Sequence, residues 1–366
     1  MSVDSSIITL GPFELHSPIG KGGMGEVWQG THRAQGVEVA IKVMTAQKAR
    51  EARFSEAFRH EVRSVARLSH PGIVRVFEHG TIPGQTALAS QGLLMPGSPY
   101  LVMELAMGTL EEIEPAALDW EQQRTILIGL LDALAHAHAR GVIHRDIKPA
   151  NVLIVPEPSG PRLKLSDFGL ARPRENHPSE EENPSPERVT GTPRYMAPEQ
   201  ILGRWRDQGP WTDLYALGCL AYWLASGDPP FCGDDTDEIL RGHLEVELPI
   251  LKSRAPVPKG YSEWLAKVLS KGPRSRYRYA ADAAHDLMKL GEFEGRTHDL
   301  RIVHRRAQHD PDRDPTLDHD VDITDLITER IALPDWVRGH KGQVGSVMMG
   351  SPGSAPPMPS DWRSEK

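Results

Sequence analysis

The sequence predicts an α+β fold of two lobes, a small strand-built one followed by a larger helical one. Three observations predict it. From Phe13 to about Tyr100, segments such as "VEVAIKVM" alternate apolar and polar residues as strands do. After Ala106 the apolar residues recur at helical spacing. Residues suited to chemistry gather in turns of both parts, and a cleft between two lobes is a favoured place for a ligand.

The elements follow in order. "FELHSPIG" and "GEVWQGTH" read as strands around a glycine cluster, and "VEVAIKVM" as the next strand. Phe54, Phe58, Val62, Val65 and Leu68 stand four, four, three and three apart, which predicts one helix. "GIVRVFEHG" and "YLVMELA" are further strands, and the Gly/Pro/Ser-rich stretch between Thr81 and Pro99 reads as an inserted loop. "DWEQQRTILIGLLDALAHAHARG" is a long amphipathic helix with Gly141 just past its end. "VIHRDIKPANVLI" then crowds His144, Arg145, Asp146, Lys148 and Asn151 into one turn, and its apolar flanks predict two strand ends that hold the turn rigidly. Three more helical patterns follow: "WTDLYALGCLAYWLASG", "GYSEWLAKVLSKG" and "RYAADAAHDLMKL". Beyond about Gly291 the periodicity fades.

Composition narrows the function. The chain has 366 residues, 25% charged and 39% hydrophobic, with a net charge of −8. That balance points away from nucleic acid and anionic membranes as partners. Cys219 and Cys232 are its only cysteines, too few and too far apart for a cysteine zinc site. They suit a reducing, cytoplasmic compartment. The N-terminus lacks a basic and then apolar leader, and no run of about 18 apolar residues predicts a membrane span.

Four groups of residues carry the chemistry. Gly20, Gly22 and Gly25 form G-x-G-x-x-G between two strands, where backbone N–H groups can approach a phosphate. Dinucleotide-binding turns share this spacing, but they lie between a strand and a helix. Lys42 sits on the following strand and needs a counter-charge, which Glu61 on the next helix can supply. Asp167 at a strand end and Asn151 offer hard oxygen ligands suited to Mg2+. Asp146 can orient or accept a hydroxyl proton, and Lys148 can neutralise a phosphoryl group in transfer.

The ordered set Gly20/Gly22/Gly25, Lys42, Glu61, "HRDIKPAN", "DFG" (Asp167–Gly169) and "APE" (Ala197–Glu199) resembles a eukaryotic-type (Hanks-type) serine/threonine protein kinase. "GKGGMGEV", "PRYMAPEQ" and "GDPPF" resemble its bacterial branch. The likeness runs from about Phe13 to Leu290. It implies a kinase domain at 13–291, with an N-lobe at 13–105 and a C-lobe at 106–291. Residues 1–12 form an extension, and 292–366 form a largely disordered tail with one short helix at 322–337. It also implies ATP as cofactor with Mg2+, or Mn2+ in its place. Ile19, Gly20, Lys21, Gly22, Gly23, Met24 and Gly25 would cover the phosphates, which Lys42 would also contact. Val27, Ala40 and Leu153 would sandwich the adenine, with Met103 as gatekeeper and Glu104 to Ala106 as hinge. By the same resemblance Asp146 is the catalytic base, Lys148 the phosphate-stabilising lysine, Glu61 the partner of Lys42, and Asn151 and Asp167 the metal ligands. Asp213 would anchor the catalytic loop and Arg276 would pair with Glu199.

Lys148 and Thr192 imply Ser/Thr rather than Tyr acceptors on protein substrates. Arg145 implies control by a phosphate on the activation segment at Thr190, Ser185 or Ser179, placed by autophosphorylation. Ala150 gives no support for a preference for arginine-rich substrates. Six aspartates lie between His309 and Asp322, without the glycine and terminal glutamate of an EF-hand loop, so they read as a solvated linker. Thr316 among them suits a phosphothreonine reader, and the tail a binding partner. Two rivals are a pseudokinase scaffold, which normally lacks a Lys or Asp that this chain keeps, and a small-molecule kinase, which generally lacks the GT…APE segment.

Overall fold

The structure is a computed structural model that describes residues 8–22, 25–44, 62, 65, 67–90, 93–158, 160–168 and 193–290, all within the first of two compact units, 1–332. Six antiparallel strands build the N-terminal sheet: β1 (Ile8–Leu10), β2 (Phe13–Gly22), β3 (Gly25–His32), β4 (Val37–Met44), β5 (Val76–Thr81) and β6 (Pro99–Glu104). Their spatial order is β1-β2-β3-β4-β6-β5. Strand period sorts β4 cleanly between two apolar clusters. Val39, Ile41 and Val43 join Leu10, Phe13, Leu15, Trp28 and Val102 on one face. Ala40 and Met44 join Val62, Val74, Leu101 and Met103 on the other. Lys42 shares the parity of Ala40 and Met44, so alternation alone sends its side chain to the second face.

Ile8–Leu10, ahead of the start at Phe13, pairs with β2 and closes one edge of the sheet. One expectation changes here. The stretch read as an inserted loop holds α1 (Gly84–Ala89), which starts after Pro83. Ile82, Ala87 and Leu94 from this stretch enter the core, and Thr86 Oγ1 donates to the carbonyl of Thr9 at 3.1 Å. A six-residue helix is too short to show its period against a background of Gly, Pro and Ser. Val62 and Val65 lie in helical backbone and are buried with Leu68, as their spacing predicts. Phe54, Phe58 and Glu61 lie outside the described residues, as do Gly23, Met24, residues 169–192 and the tail with its expected helix.

Helices dominate the second part. α2 (Trp120–His138) starts at a reciprocal cap: Asp119 accepts from the Gln122 N–H at 2.9 Å, and the Gln122 side chain accepts from the Asp119 N–H at 2.8 Å. Gly141 takes φ +72 just past the helix end, a conformation that favours glycine. A small sheet holds β7 (Gly108–Thr109), β8 (Val152–Val155) and β9 (Arg162–Leu165), in the order β7-β8-β9. Then come α3 (Pro198–Ile201) and α4 (Pro210–Ser226). Most of α4 is buried around its circumference, including Leu214, Tyr215, Leu217, Leu220 and Leu224, so it forms the centre of this lobe. Each such leucine contributes about 1.5–3 kcal/mol by leaving water. α5 (Thr236–Leu244), α6 (Tyr261–Val268) and α7 (Ala280–Lys289) complete the lobe. Among the described residues no helix is long and apolar enough to cross a membrane.

Candidate active site

The charged turn is not held between two strands. β8 follows it, but Val142 and Ile143 form no strand. Asp213, fully buried on α4, supplies the missing hold: its two oxygens accept from the backbone N–H groups of His144 (2.8 Å) and Arg145 (2.7 Å). His138 Nε2 lies 2.8 Å from the same carboxylate. Burial alone would raise the Asp213 pKa, but these partners outweigh it and hold the group below the usual carboxylate range. Anchored in this way, Arg145 takes φ +65, unusual for a residue with a side chain, and its carbonyl accepts from the Gln200 amide at 2.9 Å.

His144 carries the constraint onward. Its Nδ1 accepts from the Asp146 N–H at 3.3 Å, which leaves Nε2 to donate to the Ser166 carbonyl at 2.8 Å. Its ring packs at 4.4 Å from that of the buried Phe168. Burial pushes its pKa down, so the ring stays neutral in this tautomer. Asp167, between Ser166 and Phe168, takes φ +58.

These constraints bring the sequence-predicted residues together. Lys42 Nζ donates to Asp167 Oδ1 at 2.7 Å across 125 residues of chain. Burial would raise the Asp167 pKa, but Lys42 more than offsets it, so the carboxylate stays ionised. Lys148 Nζ lies 3.0 Å from Asp146 Oδ2, and Asn151 Nδ2 donates to the same oxygen at 2.9 Å and to the Asp146 carbonyl at 2.7 Å. The Asn151 carbonyl accepts from the Ser166 N–H at 2.9 Å, which ties this turn to Asp167. The expected Lys42–Glu61 pair lies outside the described residues; the carboxylate partner of Lys42 among those described is Asp167.

Val27 and Leu153 pack against the cluster that holds Ala40 and Met103, so four different strands contribute to one apolar group. Ala106 lies half-buried just past β6, where the chain leaves the N-terminal sheet. Ile19 and Lys21 are exposed on β2, and the Gly20–Gly22 end of that strand pairs with β3 at Val27, Glu26 and Gly25. A methyl on Gly25 would collide with the Val43 carbonyl, so the sheet itself demands that glycine. At Gly20 the nearest heavy atom to an added methyl is Val27 Cβ at 3.9 Å, so the fold makes no such demand there.

Sequence reasoning missed the residues that fix Glu104. Its carboxylate accepts from Lys164 Nζ at 2.9 and 3.0 Å and from the Arg75 N–H at 2.7 Å. Lys164, buried on β9, also meets Glu157 at 2.9 Å, and Arg162 holds Glu157 at 2.8 Å. The "RLKL" alternation could have placed Lys164 on one face of β9, but nothing local names its partners. The expected Arg276–Glu199 pair is present, buried and two-pronged at 2.8 and 2.9 Å.

As a chemical device, the site offers an apolar cluster that includes the strand of a lysine, together with two oxygen-bearing side chains, a carboxylate and a second lysine. Residues 13–288 match the protein kinase domain family model. The serine/threonine-protein kinase PknA of Mycobacterium tuberculosis is 35% identical over 288 residues, which cover 76% of this chain and 61% of that protein. A probable serine/threonine-protein kinase PknB of Bifidobacterium longum is 34% identical over 282 residues, 76% of this chain and 39% of that protein. The chain thus spans less than two thirds of the length of these curated relatives. The crystal structure of a point mutant of the Mycobacterium tuberculosis PknI kinase domain superposes with a TM-score of 0.57 at 26% identity, covering 79% of this chain and 99% of that one. By motif order, by fold and by the extent of these matches, this chain belongs to the protein kinase family, with relatives among the bacterial serine/threonine kinases.

Proposed function

We propose that this chain transfers the γ-phosphoryl group of ATP to serine and threonine hydroxyls of protein substrates. One observation carries the reading: the Lys42–Asp167 pair and the Asp146–Lys148–Asn151 group are joined by the Ser166–Asn151 backbone bond, and Lys42 stands on the strand whose Ala40 and Met44 enter an apolar cluster. The donor set fits the implied metal. Asn151 spends its Nδ2 on Asp146, which leaves a carbonyl oxygen as its remaining ligand atom, and Asp167 is an ionised carboxylate. Both are hard oxygen donors of the kind Mg2+ or Mn2+ takes alongside phosphate oxygens. When bound there, such an ion would neutralise charge on the phosphates.

The chain's own groups then have distinct tasks. Val27, Ala40, Met103 and Leu153 exclude water around the base, and the backbone from Glu104 to Ala106 offers it hydrogen bonds. Lys42 supplies positive charge to the α- and β-phosphates, and the residues from Ile19 to Gly25 cover them. Asp146 Oδ2 orients the acceptor hydroxyl and takes its proton. Lys148, 3.0 Å from that oxygen, meets the negative charge that develops on the transferring group. Arg145, beside Asp146, suits a loop whose order depends on a phosphate, so the proposal includes autophosphorylation in trans at Thr190, Ser185 or Ser179. A kinase domain at 13–291, a C-terminal tail that binds a partner, and action in cytoplasmic bacterial signalling belong to the same reading.

Incubation with radiolabelled ATP and a broad panel of proteins tests it. Asp146→Ala is expected to lower incorporation by about 10²–10⁴-fold relative to the unaltered chain. Equal incorporation by the two proteins would falsify the assignment of Asp146. Tryptic mass spectrometry of the same reaction is expected to find phosphate between Asp167 and Thr192; a segment with none overturns the autophosphorylation step.

A further inference from the structure

We propose that His243 is a positioning residue for the phosphoacceptor side of the site, seating the backbone of Pro193–Tyr195 from beneath. The proposal rests on the kinase reading above and names a residue that neither the motifs nor the chemistry of transfer uses. His243 is fully buried on α5. Its ring lies 4.9 Å from Phe231, edge-on, and 5.7 Å from Tyr215 of α4. Its Nδ1 is 3.0 Å from the Tyr215 hydroxyl.

This contact and the backbone on the ring's other nitrogen together decide where the imidazole proton goes. The Tyr215 phenol is buried and keeps its proton well past neutral pH. A phenol hydroxyl can donate or accept, but the backbone carbonyls of Pro193 and Arg194 against this ring can only accept, so the hydroxyl is the donor to Nδ1. A neutral ring then carries its hydrogen on Nε2. Burial, with Lys271 nearby, pushes the ring's pKa down to about 3, so it is neutral across the working range. Nε2 is buried and makes no full hydrogen bond among the described residues, yet the backbone of Pro193 and Arg194 lies against this ring. A buried N–H facing carbonyls at loose geometry gains most when the chain above it settles onto it.

Seating this segment bears on catalysis. Pro193–Tyr195 leads directly into Met196, Ala197 and α3, and Gln200 of α3 holds the Arg145 carbonyl beside Asp146. Its far end is already pinned: Glu199 pairs with Arg276, whose guanidinium lies 4.6 Å over the Tyr215 ring. Tyr215 therefore touches both holds, the ion pair at one end of the segment and His243 at the other. Removal of the His243 donor frees only the end that borders the incoming protein.

Steady-state kinetics with casein as phosphoacceptor, varying casein and ATP in turn, tests the proposal on the full chain. His243→Phe keeps a ring and removes the donor; it is expected to raise the KM for casein by about 5-fold or more while the KM for ATP stays within about 2-fold. His243→Gln restores an N–H and is expected to recover most of the loss. Tyr215→Phe removes the hydroxyl that holds Nδ1 and is expected to shift the casein KM in the same direction. An unchanged casein KM in His243→Phe, or equal rises for casein and ATP, overturns the proposal. A second measurement does not depend on activity. Imidazole 15N shifts of the unaltered protein at about pH 7 are expected to report a neutral Nε2–H ring for His243; an Nδ1–H ring sinks the inference even if the chain proves an active kinase. Absence of any transfer by the unaltered chain counts against the kinase reading instead.

Discussion

The two sides of the candidate site are built on different physics. On the N-terminal side, Val27, Ala40 and Met103 meet through strand alternation and apolar packing, and Lys42 is the main charge. On the C-terminal side almost every group is fixed by a buried polar partner: Asp213 holds two backbone N–H groups, His144 bridges Asp146 to Ser166, and Arg276 clamps Glu199. Shape suffices to hold a flat base, because apolar contact is non-directional. A proton and a phosphoryl group in transit need charges placed to within a fraction of an ångström, and only hydrogen-bonded networks fix position that well.

The contrast can be broken most severely at Asp213. Asp213→Ala leaves the His144 and Arg145 N–H groups and His138 without their buried acceptor. Urea unfolding is expected to show a loss of about 3–5 kcal/mol, with activity falling further than stability explains. A loss below about 1 kcal/mol would mean that the anchor is not structural.

Two glycines sharpen the comparison on the other side. Gly25→Ala drives a methyl into the Val43 carbonyl and is expected to cost about 1–3 kcal/mol. Gly20→Ala meets only Val27 Cβ at 3.9 Å, so thermal stability should stay close to that of the unaltered chain. Its expected effect is on nucleotide affinity, weaker by about 5-fold, because backbone approach to phosphate is what a side chain there obstructs. Loss of stability without loss of nucleotide binding in Gly20→Ala would reverse the assignment.

The smallest expected effect is the dependence of stability on pH. His144 and His243 are neutral when folded, with pKa values held below the unfolded one by burial. As pH falls below about 6.5, the unfolded chain takes up protons that the folded chain refuses, so stability falls by about 1.4 kcal/mol per unit and per group. For His243 this loss continues toward about pH 3, where its folded form titrates. Asp167 and Asp213 have depressed folded pKa values, so their contribution is present above about pH 3.9 and is lost only below it. Urea titrations from about pH 7 to about pH 4.5 are expected to show the histidine slope first, and His243→Phe to remove the His243 share of it, about 1.4 kcal/mol per unit. An unaltered slope in that variant would show that His243 is solvated.

Much of this was legible in one dimension. Alternation along "VEVAIKVM" placed Lys42 on the face of Ala40, and helical spacing in "DWEQQRTILIGLLDALAHAHARG" gave α2 with its glycine stop. Motif order named Asp146, Asn151, Asp167 and the Glu199–Arg276 pair. The helix inside the Thr81–Pro99 stretch was not legible, because six residues carry too little period. Nor were the strandless lead into His144, or the Lys164–Glu104 and Lys164–Glu157 contacts.

By itself, then, the sequence determined which residue types stand ready and on which face of their element each one lies, since period and backbone propensity are local. Tertiary structure decided the partners that no motif names: Lys42 with Asp167 across 125 residues, Lys164 with Glu104, and Tyr215 with His243. A pairing depends on the distance between two charges or dipoles in space, and chain order sets no such distance until the core has packed.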